Sequence, residues 1–136
     1  MSVYVKTPQV QNLWDASYAA TADLSNSQFA VLAFTANVSS GEATVGLPSG
    51  SGVRAAGVLQ NSDAKTTVRA VVRKLGDSQV IAGAAFNAGA ELMIGDATGK
   101  VITATGAGAY VVAIARQAAT AVGQIVDAEL IVQYKV

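Results

Sequence analysis

The sequence has no cysteine and no histidine. The first absence excludes a disulfide framework and any thiolate nucleophile or thiolate metal site. The second removes the commonest general base and the commonest metal ligand. Charge is scarce: nine basic and nine acidic residues make up 13% of the 136, against about a quarter in an ordinary globular domain. The formal net charge is zero, so bulk electrostatic attraction of nucleic acid is not expected. No apolar run is long enough for a membrane-spanning helix. The longest uncharged one, Val101 to Ala115, is broken by Thr and Gly and ends at Arg116. The opening residues, MSVYVKTPQV, lack the apolar centre of a signal peptide.

What is present is small and apolar. Half the chain is hydrophobic, mostly Ala and Val rather than Leu and Phe. The length fits one domain with a real core. A surface poor in charge and rich in Ala, Gly, Ser and Thr suits a protein that spends its life packed against others. An Ala-rich soluble domain is the plainer alternative.

The chain is organised around Gly76 to Gly106, which reads as short strands cut by turns. SQVIA and AELMI are apolar runs, AGAAFNAG is a small-residue corner between them, and DATGK is a tight turn leading into KVITA. Asp96 and Gly99 supply the turn chemistry, one through its carboxylate and the other by accepting positive φ. Strands this short need partners elsewhere in the chain.

Residues 1–22 differ from the rest. They hold Tyr4, Trp14 and Tyr18 among polar residues, with Pro8 opposing regular structure. They read as an N-terminal arm that lies on something, leaving 23–136 as a β-rich domain. Alternatively, Trp14 and Tyr18, four apart, pack one face of a short helix on the domain itself. Asp23 is placed to cap a local turn. Gln28 to Ala36 reads as a strand, Asn37 to Gly41 as a turn, and Ala43 to Leu47 as a second strand before the PSGSG loop. Asn37-Val38-Ser39 matches a glycosylation acceptor by chance. Val53 to Asn61 reads as a strand whose Gly57 marks a bulge or a close backbone approach. Thr66 to Lys74 alternates, with Val68, Ala70 and Val72 on one face and Arg69, Val71 and Arg73 on the other. Its cations suit a solvated face or, more sharply, contact with an acidic partner surface. Ala109 to Ala115 fits a strand buried on both sides, and 116–123 an ordered loop. IVDAELIVQYKV alternates strictly over twelve residues, the signature of a long half-buried strand. Seven to nine short strands with frequent turns indicate an all-β fold, a small single-domain β-sandwich or β-barrel.

Candidate chemistry is thin. GDATGK has three residues between its glycines, and Val101 follows the lysine, so it fails the phosphate-loop pattern. Asp127 and Glu129 share a strand face about 7 Å apart. They read as surface charge rather than an acid–base pair. No serine lies in a nucleophile elbow, and no histidine exists to activate one.

Taken in order, ADLSNSQF, GVLQN (57–61), TVRAVVRK, AGAAFNAGAEL (82–92), DATGK (96–100), AATAVG and the alternating terminal strand resemble the capsid decoration, or cement, proteins of tailed bacteriophages. The resemblance spans roughly residues 20–136, and the order of the pieces carries it. The sequence departs from the pattern at Lys74 to Asp77 (KLGD), where a plainer Gly-centred turn between strands is expected, and in the longer arm. The resemblance implies a β-rich domain on the outer surface of an assembled capsid, with the major capsid protein as partner. It implies a trimer or a threefold arrangement there, and reinforcement of the shell against packed DNA. It carries no catalytic residues, no cofactor and no membrane or direct nucleic-acid partner. Candidate contacts are Tyr4, Trp14 and Tyr18 of the arm and Arg69 and Arg73 of the basic strand. The alternative is a virion surface module that attaches to host glycan or protein.

Overall fold

The computed structural model describes residues 13–35 and 41–136. Nine strands and no helix are found among them: β1 (Trp14–Ala20), β2 (Val31–Thr35), β3 (Thr44–Gly46), β4 (Gly57–Leu59), β5 (Ala70–Ile81), β6 (Glu91–Ile94), β7 (Val101–Thr103), β8 (Tyr110–Ala115) and β9 (Ile125–Lys135). The all-β expectation holds, in its barrel form. Strands β1, β3, β2, β4 and β5 are paired in that order, and β1 pairs back onto β5, closing a five-stranded ring. Closure removes sheet edges, which short strands otherwise leave unpaired.

The second half of β5 belongs to a second sheet, ordered β5, β9, β8, β6, β7. Its far strand returns to the first through a parallel bridge between Ala82 and Val101, where the Gly83 amide donates to the Val101 carbonyl at 2.7 Å. The molecule is therefore two rings that share one strand. Each has its own core. Leu24, Leu32, Val45, Leu59, Ala70 and Val72 fill the first. Val80, Leu92, Ile94, Val101, Ala113, Val126 and Leu130 fill the second, together with Val31 and Val58, which reach it from first-ring strands.

Strand β5 is where the structure departs most from the sequence reading. The basic strand 66–74 and the SQVIA strand were expected as separate elements around a turn at Lys74 to Asp77. The chain instead runs on as one twelve-residue strand. Gly76 does adopt positive φ (98°), but this local distortion falls where β5 changes partners. Arg73 pairs with Val58 and Asp15, Leu75 pairs with Trp14, and from Gly76 onward the partner is β9, starting at Leu130. The glycine re-aims the strand from one ring to the other without reversing it.

Other boundaries shift for local reasons. β2 begins at Val31 rather than Gln28, because Ala30 and Ser27 close a turn (Ala30 N to Ser27 O, 2.9 Å) and Phe29 sits at φ 69°. The strand expected over 53–61 is limited to Gly57–Leu59. The close approach expected at Gly57 is present. Its φ is 148°, and a Cβ there would lie 2.4 Å from the Arg73 carbonyl oxygen. The twelve-residue alternation of β9 holds only through Leu130. Val126, Ala128 and Leu130 are buried, but Val132 is 77% exposed. Between the pairs Ala113–Leu130 and Val111–Tyr134, β9 carries two more residues than β8, and this bulge breaks the period.

The expected arm divides. Residues 14–20 are strand β1, antiparallel to β5 and parallel to β3, so neither a free arm nor a helix describes them. Tyr4 and the first twelve residues lie outside the described residues, as do residues 36–40, which hold most of the expected Asn37–Gly41 turn and the Asn37 acceptor. The DATGK turn forms as read. Asp96 accepts from the Thr98 amide at 2.8 Å and from the Thr98 hydroxyl, and Gly99 has φ 78°. This turn also touches the first ring, whose Val31 amide donates to the Gly99 carbonyl at 2.9 Å.

Candidate binding surface at the junction of the two rings

The sequence candidates fall into two groups. Arg73 on β5 and Arg69, just before its first residue, both meet groups of their own chain. Arg73 Nε and a terminal guanidinium nitrogen donate to the two Asp15 carboxylate oxygens at 2.8 and 3.1 Å, and Nη1 donates to the Asp77 carbonyl at 2.9 Å. Asp15 holds the Arg73 pKa above its usual value. Arg69 pairs with Glu42 and donates to the Ser17 hydroxyl and carbonyl at 2.8 and 3.1 Å. That pairing holds the Glu42 carboxyl below its usual range. Arg73 thus ties β5 to β1, and Arg69 ties the residue leading into β5 to β1 and to Glu42. Asp127 and Glu129 are exposed on β9, as read. Glu129 lies directly opposite Asp77, whose carboxylate pairs with Arg116.

Trp14 and Tyr18 form the second group, together with two residues the sequence reading did not single out. Lys74 Nζ lies 4.9, 5.0 and 5.5 Å from the ring centroids of Phe34, Tyr18 and Trp14. It donates to the Tyr18 hydroxyl at 2.9 Å and to the Ala56 carbonyl at 3.2 Å. Tyr18 and Phe34 meet edge to face at 5.3 Å. This cluster follows from strand parity. Ala70 and Val72 point into the first ring, and Lys74 continues their row to its end. There a cation can keep its head near water only by lying against aromatic faces. Leu32 is core, and Phe34 continues its row in the same way. The signal was therefore in the alternation of 66–74, one step past the last buried valine.

The cluster opens into a groove of about 400 Å³ lined by Trp14, Phe34, Arg54, Lys74, Tyr110 and Val132, among others. The groove exists because β5 and β9 part company. Their pairing stops at Gly76–Leu130, and the first ring leads β5 one way while β9 runs on the other. Among the described residues a side chain reaches across the gap. The Gln133 side-chain amide accepts from the Ala55 amide and donates to the Ala55 carbonyl, both at 2.8 Å. Trp14 is 53% exposed, and Phe34 and Val132, which line the groove with it, are exposed as well. Among the described residues neither Arg54 nor Lys74 pairs with a carboxylate, and no acidic residue lines the groove. No group of three metal-ligating side chains occurs among the described residues. The arrangement offers aromatic faces, apolar side chains and two cations.

The described residues thus form a small all-β domain of two rings sharing a strand, with this groove at their junction. No family model and no curated protein matches this sequence. Among solved structures, the N base of the head fiber gp8.5 of bacteriophage phi29 has the same fold. The TM-score is 0.64 with 18% sequence identity over 88% of this chain and 94% of that one.

Proposed function

We propose that this chain is a structural protein of a bacteriophage virion, bound to the outside of the capsid, and that it decorates and stabilises the shell against the pressure of packed DNA. The observation that carries the reading is the shared fold with a phage head fiber base, which extends over nearly the whole of both chains. The ordered sequence pieces that resemble decoration proteins support it independently, and so does a surface poor in charge. The partner in this reading is the major capsid protein, and the chain acts as a trimer or at a local threefold position. No catalysis or cofactor is part of it. Stabilisation follows from mass action. A protein that binds the assembled shell and not its dispersed subunits lowers the free energy of the shell, and many copies add.

The test is cosedimentation of the purified protein with DNA-filled capsids stripped of it, followed by heat release of DNA from the pellet. Stoichiometric binding that raises the release temperature is expected. Binding without a change in release temperature would leave capsid attachment and remove the cement role. A second reading, a virion module that attaches to host glycan or protein, is favoured by the exposed Trp14 groove. Under it, virions lacking the protein keep their heat stability and lose adsorption.

A further inference from the structure

We propose that the groove between the two rings takes an extended peptide of a partner protein, laid along the outer edge of β9 beyond Leu130. The peptide carries a carboxylate for Arg54 and Lys74 and an apolar or aromatic side chain for Trp14. Three observations converge. The first is the edge: β9 is paired with β5 only as far as Leu130, and among the described residues no strand takes up that side of Ile131 to Lys135. An unpaired edge beside a groove is the geometry of strand addition, in which main-chain hydrogen bonds supply affinity and alternate side chains supply selectivity.

The second is that the fold already makes such a contact. The Gln133 side-chain amide binds both the N–H and the C=O of Ala55, as a neighbouring strand would. An incoming peptide displaces this side chain and takes over its bonds to Ala55. The third is charge. Lys74 uses two of its three N–H donors on Tyr18 and Ala56, so one is left. Arg54 is exposed at the same wall, and no carboxylate of the groove answers either cation. An anionic side chain on the peptide completes both. Its neighbour two residues along, on the same face of the peptide, meets the Trp14 and Phe34 rings. The exposed Val132 and Tyr134 supply further apolar surface along the edge.

This inference is independent of the capsid reading and can fail separately from it. The experiment is selection of a random twelve-residue peptide library on the immobilised full chain, with binding of the selected peptides measured by fluorescence anisotropy. The expected consensus has one Asp or Glu with an aromatic or branched apolar residue two positions away. Arg54→Glu, an exposed change that leaves folding intact, should weaken those peptides at least tenfold and shift selection toward Lys or Arg. Trp14→Ala should weaken them by a similar factor. Amide resonances of residues 131–135 should move on titration. The inference is overturned if no consensus emerges, if the selected peptides are basic, or if Arg54→Glu leaves their affinity unchanged. It is also overturned if sedimentation shows that the chain self-associates through the groove and Arg54→Glu dissolves that assembly, since the occupant is then a second copy.

Discussion

The two rings use the same strand and solve the problem of their open ends differently. The first holds a small core and closes its mouth with a lysine amid three aromatic rings. The second holds a larger aliphatic core, and its Phe86 and Ala119 exchange backbone bonds at 3.0 and 2.9 Å beside it. The first end is therefore polar and aromatic; the second is tied by backbone bonds and lined by small residues around Phe86. The contrast shows how one shared strand serves two different environments: its second half is held in the larger aliphatic core, and its first half ends at Lys74 on the wall of the groove.

Whether the rings are one cooperative unit is the sharpest question, and the largest effects bear on it. Leu59 and Leu92 are both fully buried, one in each core. Leu59→Ala and Leu92→Ala should each cost about 2–5 kcal/mol, and calorimetry of either should show a single transition at a lower Tm. Two separated transitions would mean that the rings melt independently in spite of β5. Next in size is Gly57→Ala. The new Cβ meets the Arg73 carbonyl where β4 pairs with β5, and the backbone conformation disfavours any side chain. A loss of about 2–3 kcal/mol is expected by denaturant titration. An unchanged midpoint would show that β4 can withdraw from β5 without cost.

Lys74→Met should cost about 1–2 kcal/mol, since the Tyr18 and Ala56 oxygens lose a donor while most of the packing remains. Trp14 fluorescence should change with it, because the cation leaves the indole face. Asp15→Asn weakens the bidentate bond to Arg73 and should cost less than about 1 kcal/mol, an effect that fades in high salt. Smallest is the acid response. The Thr98 hydroxyl and amide hold the Asp96 carboxyl below its usual range. The stabilisation from this turn is fully present above the ordinary aspartate pKa of about 4. It is lost as pH falls through the lowered value. Asp96→Asn should lower Tm slightly near neutrality, where the ionised carboxylate holds the turn, and remove this group's share of the fall below about pH 4, as read by Tm against pH.

Much of this was legible in the sequence. The all-β class, the DATGK turn, the close approach at Gly57 and the buried row of β9 follow from period and turn chemistry, which are local. The continuity of β5 was not legible. Gly76 in a KLGD setting reads as a turn, and only the two sets of partners, on β1 and β4 and then on β9, reveal it as a handover. The integration of Trp14 to Ala20 into the first ring was hidden for the same reason, since its pairing with β3 and β5 spans distant sequence. Of the groove, the exposed aromatics were visible in composition. Arg54 and the divergence of β9 from β5 are matters of topology.

The shared strand also constrains descent. Val72 faces one core and Val80 the other, with the pivot at Gly76 between them. Removing or inserting a single residue between those valines would flip the side chains of one ring inside out while leaving the other correct. Lengths in the surface loops are free to drift, but the spacing from Val72 to Val80 is not. Among diverged relatives, gaps should accumulate in the surface loops and be absent across that interval.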